Sequence, residues 1–115
     1  MSYEIQSHPE FEHSFKRLYK RYRSLPDDIK DFRDSLQKNP YQGVELSPGI
    51  RKIRMAIASK RRGKSGSARV ITANAIIAEH EGRIALLTIY DKEDASTVRL
   101  KVIKQMAREL GFTTL

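Results

Sequence analysis

Eight basic residues, Arg51, Lys52, Arg54, Lys60, Arg61, Arg62, Lys64 and Arg69, fall in a stretch from Leu46 to Ala78 that holds no aspartate or glutamate. The other 14 basic residues of the chain are matched by its 14 acidic ones, so the formal net charge of +8 is concentrated in this one segment. Charge of one sign gathered on one segment implies a polyanionic partner meeting one surface. Nucleic acid is the first candidate. An anionic membrane comes second, because no amphipathic basic helix coincides with the segment. A single arginine on a hairpin often serves solubility alone; eight cations without a carboxylate among them argue for binding.

Other chemistries lack their residues. The chain has no cysteine, which removes disulfides and thiolate zinc sites. Its histidines, His8, His13 and His80, form no cluster with carboxylates at metal-ligand spacing and do not suggest a two-histidine ribonuclease. Gly63-Lys64-Ser65-Gly66 lacks the upstream glycine of a phosphate-binding loop. Neither a metal nor a cofactor is expected.

The elements that must position the basic segment follow from periodicity. With 115 residues, 39% of them hydrophobic, the chain is expected to form one domain over 1–115 around a modest core. No apolar run approaches the roughly 18 residues of a membrane span, and Met1-Ser2-Tyr3-Glu4 does not open a signal peptide, so a cytoplasmic protein is expected. Tyr3 to Ser7 alternates as a short strand. Ser7, His8 and Pro9 then open a helix whose apolar stripe is Phe11, Phe15, Leu18, Tyr19 and Tyr22. A second helix is expected from about Pro26 to Lys38, capped by Ser24, with Leu25, Ile29, Phe32 and Leu36 on one side and Asn39-Pro40 as its stop. The two form a hairpin laid on a sheet.

Pro40 to Gly49 is read as a loop. After it Ile53, Met55 and Ile57 alternate with Lys52, Arg54, Ala56 and Ala58, a strand with Lys52 and Arg54 on one face. Ser59 to Ser67 is too polar and glycine-punctuated for a strand interior; Ala68 to Ala78 resumes as a strand, apolar on both faces, so parity leaves Arg69 unoriented. Glu79-His80-Glu81-Gly82 turns the chain into a third strand, Arg83 to Tyr90, apolar enough to be covered on both faces. A last helix begins at Ser96 or Thr97, turns Val102, Ile103, Met106, Ala107 and Leu110 inward and ends at Gly111. The expected order is βααβββα, an α+β fold.

That order, with a basic first hairpin in the meander, resembles the RelE/ParE toxin superfamily. Gly49-Ile-Arg-Lys-Ile-Arg-Met-Ala-Ile57 resembles the strand on which RelE-type mRNA interferases carry basic catalytic residues. Ser67-Ala-Arg-Val-Ile71 is similar to the start of their next strand, and Leu86-Leu-Thr-Ile-Tyr-Asp-Lys92 to the end of their last. The loop Lys60-Arg-Arg-Gly-Lys-Ser-Gly66 resembles a HigB-like branch. Where RelE-type enzymes often follow the last strand with Lys-Arg, this chain has Lys92-Glu93-Asp94. The resemblance implies a RelE-like fold with an antiparallel sheet packed against an N-terminal helix hairpin and a C-terminal helix. It further implies a type II toxin that cuts messenger RNA on the ribosome. Its partners would be mRNA, the ribosome and a cognate antitoxin, a helix-turn-helix protein through which operator DNA is reached only indirectly, with no membrane involved.

Metal-free RNA cleavage needs a base for the 2′-hydroxyl proton, positive donors for the charge growing on the phosphorane, and an acid for the leaving 5′-oxygen. Arg54 and Arg69 suit the phosphate, because a guanidinium grips its oxygens with two parallel hydrogen bonds. An ammonium crowded by other cations yields its proton more readily, which makes Lys52 and Lys92 candidates for proton exchange. Tyr90 is a candidate to move a proton or to stack on a base, or else a rim residue of the core. Arg51, Lys60, Arg61, Arg62 and Lys64 are expected to hold the RNA or ribosome backbone. Asp91, Glu93 and Asp94 are read as caps of the final helix, with Asp91 or Glu93 also placed to orient Lys92 or Arg69. Two other functions compete: a ParE-like inhibitor of DNA gyrase without nuclease activity, and a plain nucleic-acid-binding module. The Lys52, Arg54, Arg69 and Lys92 set favours the nuclease.

Overall fold

A computed structural model of the chain describes residues 2–60, 67–94 and 99–112. The elements run β1 (Glu4–Ser7), α1 (Pro9–Arg21), α2 (Leu25–Lys38), β2 (Val44–Ser47), β3 (Ile50–Ala56), β4 (Ser67–Ala78), β5 (Glu81–Asp91) and α3 (Leu100–Glu109), with short 3-10 turns at Ala58–Lys60 and Lys92–Asp94. The fold is α+β: three helices and one five-stranded sheet in the order β1-β5-β4-β3-β2.

Two layers cover the sheet. On one face the stripes of α1 and α2, through Phe11, Leu18, Leu25, Phe32 and Leu36, close over Ile53, Met55, Val70, Ile84, Leu86 and Ile89. On the other, Ile103, Met106 and Ala107 of α3, with Phe112 after it, close over Ile50, Ile71, Ala73, Ala85 and Leu87. Each fully buried aliphatic side chain contributes roughly 1.5–3 kcal/mol, which is why β4 and β5 read as continuous apolar runs. The prediction of a third meander strand covered on both faces holds for β5.

Helix entries follow the local sequence. Pro9 opens α1, where its missing N–H costs nothing, and the Glu10 N–H donates to His8 Nδ1 at 3.0 Å. Ser24 stands at the head of α2 as expected, but its side chain makes no capping hydrogen bond to the helix: its hydroxyl donates to Asp28 Oδ2 at 2.7 Å, and the Ser59 N–H donates to Ser24 Oγ at 2.9 Å. Ser24 thus ties α2 to the turn after β3. Ser14, a hydroxyl inside an apolar stripe, has its own reason. β1 pairs with β5 only as far as Leu86, and farther along the Ile89 N–H donates to Ser14 Oγ at 3.4 Å.

Three expectations are corrected. The sheet is mixed, because β1 pairs with β5 in parallel while every other pair is antiparallel; side-chain periodicity is the same in either direction, and a parallel pair needs a long connection, here all the elements between. The segment read as a loop contains β2, which Pro48 and Gly49 (φ 82°) turn back onto Ile50–Lys52. At its other end Gly43 has φ 77°, and a Cβ there would lie 2.1 Å from the Lys52 carbonyl oxygen, so only glycine lets the backbones approach this closely. Val102, expected inside, is 51% exposed, whereas Ile103, Met106 and Ala107 are buried. Ser96 and Thr97 lie outside the described residues. Among the described residues no helix is long and apolar enough to cross a membrane.

Candidate functional site

Strand register places three predicted residues in one row. Arg54 on β3 stands opposite Arg69 on β4, and Arg69 stands opposite Tyr90 on β5. The next row is Lys52, Ile71 and Thr88. Since Ile50 and Ile71 face α3, alternation puts Lys52, Arg54 and Arg69 on that same face. Pairing thus orients Arg69, which parity did not.

The residues differ in how they are held. Arg54 is exposed, while Lys52 and Arg69 are half-buried. The Arg69 guanidinium is steered from behind, donating through Nη1 to Ser67 Oγ at 2.8 Å and to the Ala68 carbonyl at 3.3 Å. Tyr90 packs its ring against the α3-side core. Burial pushes the Tyr90 phenol up from its ordinary value, against the opposing pull of the Arg69 guanidinium. At neutral pH Tyr90 therefore keeps its proton, which is available for donation.

Directly opposed like charges destabilise a sheet pair, their Cβ atoms being only about 4.5–5.5 Å apart. Among the described residues no carboxylate forms an ion pair with Lys52, Arg54 or Arg69. The row is an unneutralised cationic strip with a phenol at its end, suited to gripping phosphate oxygens and donating a hydrogen bond beside them.

The remaining predicted residues fall elsewhere. Lys92 is exposed on the 3-10 turn just past β5, two positions after Tyr90, and is not part of the row. Arg51 alternates onto the opposite face and is spent on the β2 connection, with Nε donating to the Gln42 carbonyl at 2.7 Å and Nη2 to that of Gly43 at 3.2 Å. It does not join the Lys52–Arg54 face, because adjacent strand residues point apart. Lys60 is likewise not a surface cation. Its side chain is 4% exposed, with Nζ 2.8 Å from Asp91 Oδ1 and 5.4 Å from the centre of the Tyr22 ring. Arg61, Arg62 and Lys64 lie outside the described residues.

Asp91 is the centre that sequence reasoning misread as a helix cap. Its side chain is 0% exposed and faces α1, away from the guanidinium row. Oδ1 accepts from Lys60 Nζ at 2.8 Å and from the Glu93 N–H at 3.0 Å; Oδ2 accepts from Tyr22 Oη at 2.6 Å and Arg21 Nη2 at 3.3 Å. Burial by itself would raise the Asp91 carboxyl, but the hydrogen bonds from Lys60, Tyr22 and Glu93 outweigh it and hold the group below its ordinary value. Burial in turn would lower the Lys60 ammonium, and Asp91 reverses that, leaving it above its ordinary value. The available signal was a carboxylate closing an otherwise apolar strand, which demands a buried cation. Asp94 does not cap α3 either, since it pairs with Arg21.

The three histidines lie apart from the guanidinium row, and His13 is exposed on α1. His8 caps α1 and lies 2.7 Å from Glu109 at the end of α3, and His80 occupies the turn between β4 and β5 with φ 58°. Among the described residues no group of three or more histidines, cysteines and acids could hold a metal. No protein-family model matches the sequence.

Proposed function

We propose that this chain is a toxin of the RelE/ParE type with the corresponding fold, an endoribonuclease that cuts messenger RNA by metal-free attack of a 2′-hydroxyl on the adjacent phosphodiester. The observation that carries this reading is the row Arg54, Arg69 and Tyr90, with Lys52 one row away on the same face. Two arginines paired across neighbouring strands without a carboxylate are unfavourable until a phosphate arrives, and they stabilise the phosphorane more than the starting diester because its negative charge is greater. Tyr90, a protonated phenol, donates toward the same oxygens or toward the leaving 5′-oxygen. Lys52 and Lys92 remain the candidates for proton exchange.

The likeness of Gly49–Ile57, Ser67–Ile71 and Leu86–Lys92 to segments of RelE-type interferases supports the choice of RNA. The same likeness is the basis for the ribosome as the place of action and for a helix-turn-helix antitoxin as the partner that silences the chain. A site with few proton-transfer groups gains from a message already held in line by the ribosome.

Purified chain added to translating ribosomes is expected to give discrete cuts when message ends are mapped by primer extension. Intact message at high protein concentration would reject the reading, and inhibition of gyrase supercoiling in its place would favour the gyrase-directed function.

A further inference from the structure

One buried carboxylate lies on the side of the sheet behind the predicted catalytic row. Asp91 directly follows Tyr90, faces the opposite side of the sheet and lies opposite Ala68, the neighbour of Arg69. Its four partners come from three parts of the chain. The Glu93 N–H, bound to Oδ1, folds the residues after β5 into the 3-10 turn that carries Lys92. Lys60, bound to the same oxygen, closes the turn after β3 and immediately precedes Arg61 and Arg62 in sequence. Tyr22 and Arg21, bound to Oδ2, anchor the group to the end of α1.

We infer that Asp91 is a positioning residue of the proposed nuclease site, fixing Lys92 through the turn at Glu93 and tying that turn, through Lys60, to the one after β3. The inference rests on the proposed function for the identity of the site, but the hub's geometry stands apart from it. Stability alone does not require this arrangement: a buried ion pair is often no better for folding than well-packed apolar residues of the same volume. What the carboxylate adds is direction, because both of its oxygens are used and each ties a different segment to the same point. An Asn side chain has one acceptor oxygen, so either the Lys60 and Glu93 side or the Tyr22 and Arg21 side loses its acceptor.

The experiment uses the full chain with Asp91→Asn and with the paired neutral variant Lys60→Met/Asp91→Leu, reading amide hydrogen exchange and single-turnover RNA cleavage. In Asp91→Asn the Lys92 and Glu93 amides are expected to exchange about tenfold faster while those of Ile71 and Leu86 keep their protection. The maximal cleavage rate is expected to fall about tenfold or more, with little change in the RNA concentration giving half the rate. The paired variant is expected to recover thermal stability but not the rate, which a merely structural role would restore. Unchanged exchange at Lys92 and Glu93 overturns the inference, and so does a paired variant that cleaves like wild type. Wild-type chain that leaves RNA intact rejects the proposed function alone, and the exchange measurement then still decides the role of Asp91.

Discussion

Arg54 and Arg69 face each other across β3 and β4, two guanidiniums at the same register position on the side of the sheet that α3 covers elsewhere. Such an opposition lowers stability by some tenths of a kcal/mol, and a phosphate bound between the two would reverse its sign.

Arg54→Ala and Arg69→Ala should therefore each fold, with a thermal transition equal to or slightly above that of wild type for Arg54→Ala, whose side chain is exposed. Cleavage should slow by about 10²-fold in each, the usual loss on removing one donor to a transition-state oxyanion. Calorimetry alongside primer extension checks both; wild-type cleavage in either variant removes that arginine from the site.

Tyr90→Phe keeps the packed ring and removes the proton. Stability should change little, RNA affinity should hold and the maximal rate should fall. Because the Tyr90 phenol is raised, its neutral form is favoured in the folded state, so the stability it contributes is present below the ordinary tyrosine value and is lost as pH rises through the folded one. Difference ultraviolet titration of wild type against Tyr90→Phe should show one tyrosine ionising later than the exposed ones.

The Lys60–Asp91 pair sets a pH window. Asp91 is lowered, so its stabilisation is complete above the ordinary carboxylate value and disappears as pH falls through the folded value. Lys60 is raised, so its share is complete below the ordinary lysine value and disappears as pH rises through the folded value. Lys60→Met, which leaves the buried carboxylate with the more distant Arg21 as its remaining cation, should destabilise at neutral pH by up to about 3–5 kcal/mol, the cost of a fully uncompensated buried charge. Lys60→Met/Asp91→Leu should return much of that loss and flatten the acid limb of the stability profile relative to wild type. Denaturant melts from acid to alkaline pH give both comparisons.

Ser14→Ala should destabilise by about 1–3 kcal/mol although it makes an apolar stripe more apolar, because it leaves the buried Ile89 N–H without an acceptor. Urea titration is sufficient, and a neutral or stabilising result would show that β5 does not depend on α1 for that bond.

Much of the frame was legible in the residues. The stripes Phe11–Leu18 and Leu25–Phe32–Leu36 and the alternation of Ile53, Met55 and Ile57 are periodic signals, and each became a core face. Val102 was misplaced because it borders the apolar side of α3, and one residue of helix is a 100° rotation. β2 was missed because four residues carry almost no period, and its pairing depends on the Pro48-Gly49 turn and on the approach that Gly43 permits.

For the site, composition and local period specify the chemistry on offer: an acid-free basic segment, no thiol, no clustered histidine, and Lys52 with Arg54 on one face of a strand. Which charges meet depends on how the strands pair. Strand pairing put Arg69 beside Arg54 and Tyr90, turned Arg51 to the other face, and drew Lys60 out of the expected binding loop into the buried hub of Asp91. Period and composition are local, whereas register and ion pairing join residues separated by tens of positions, and a buried charge is settled by whichever opposite charge the fold brings to it.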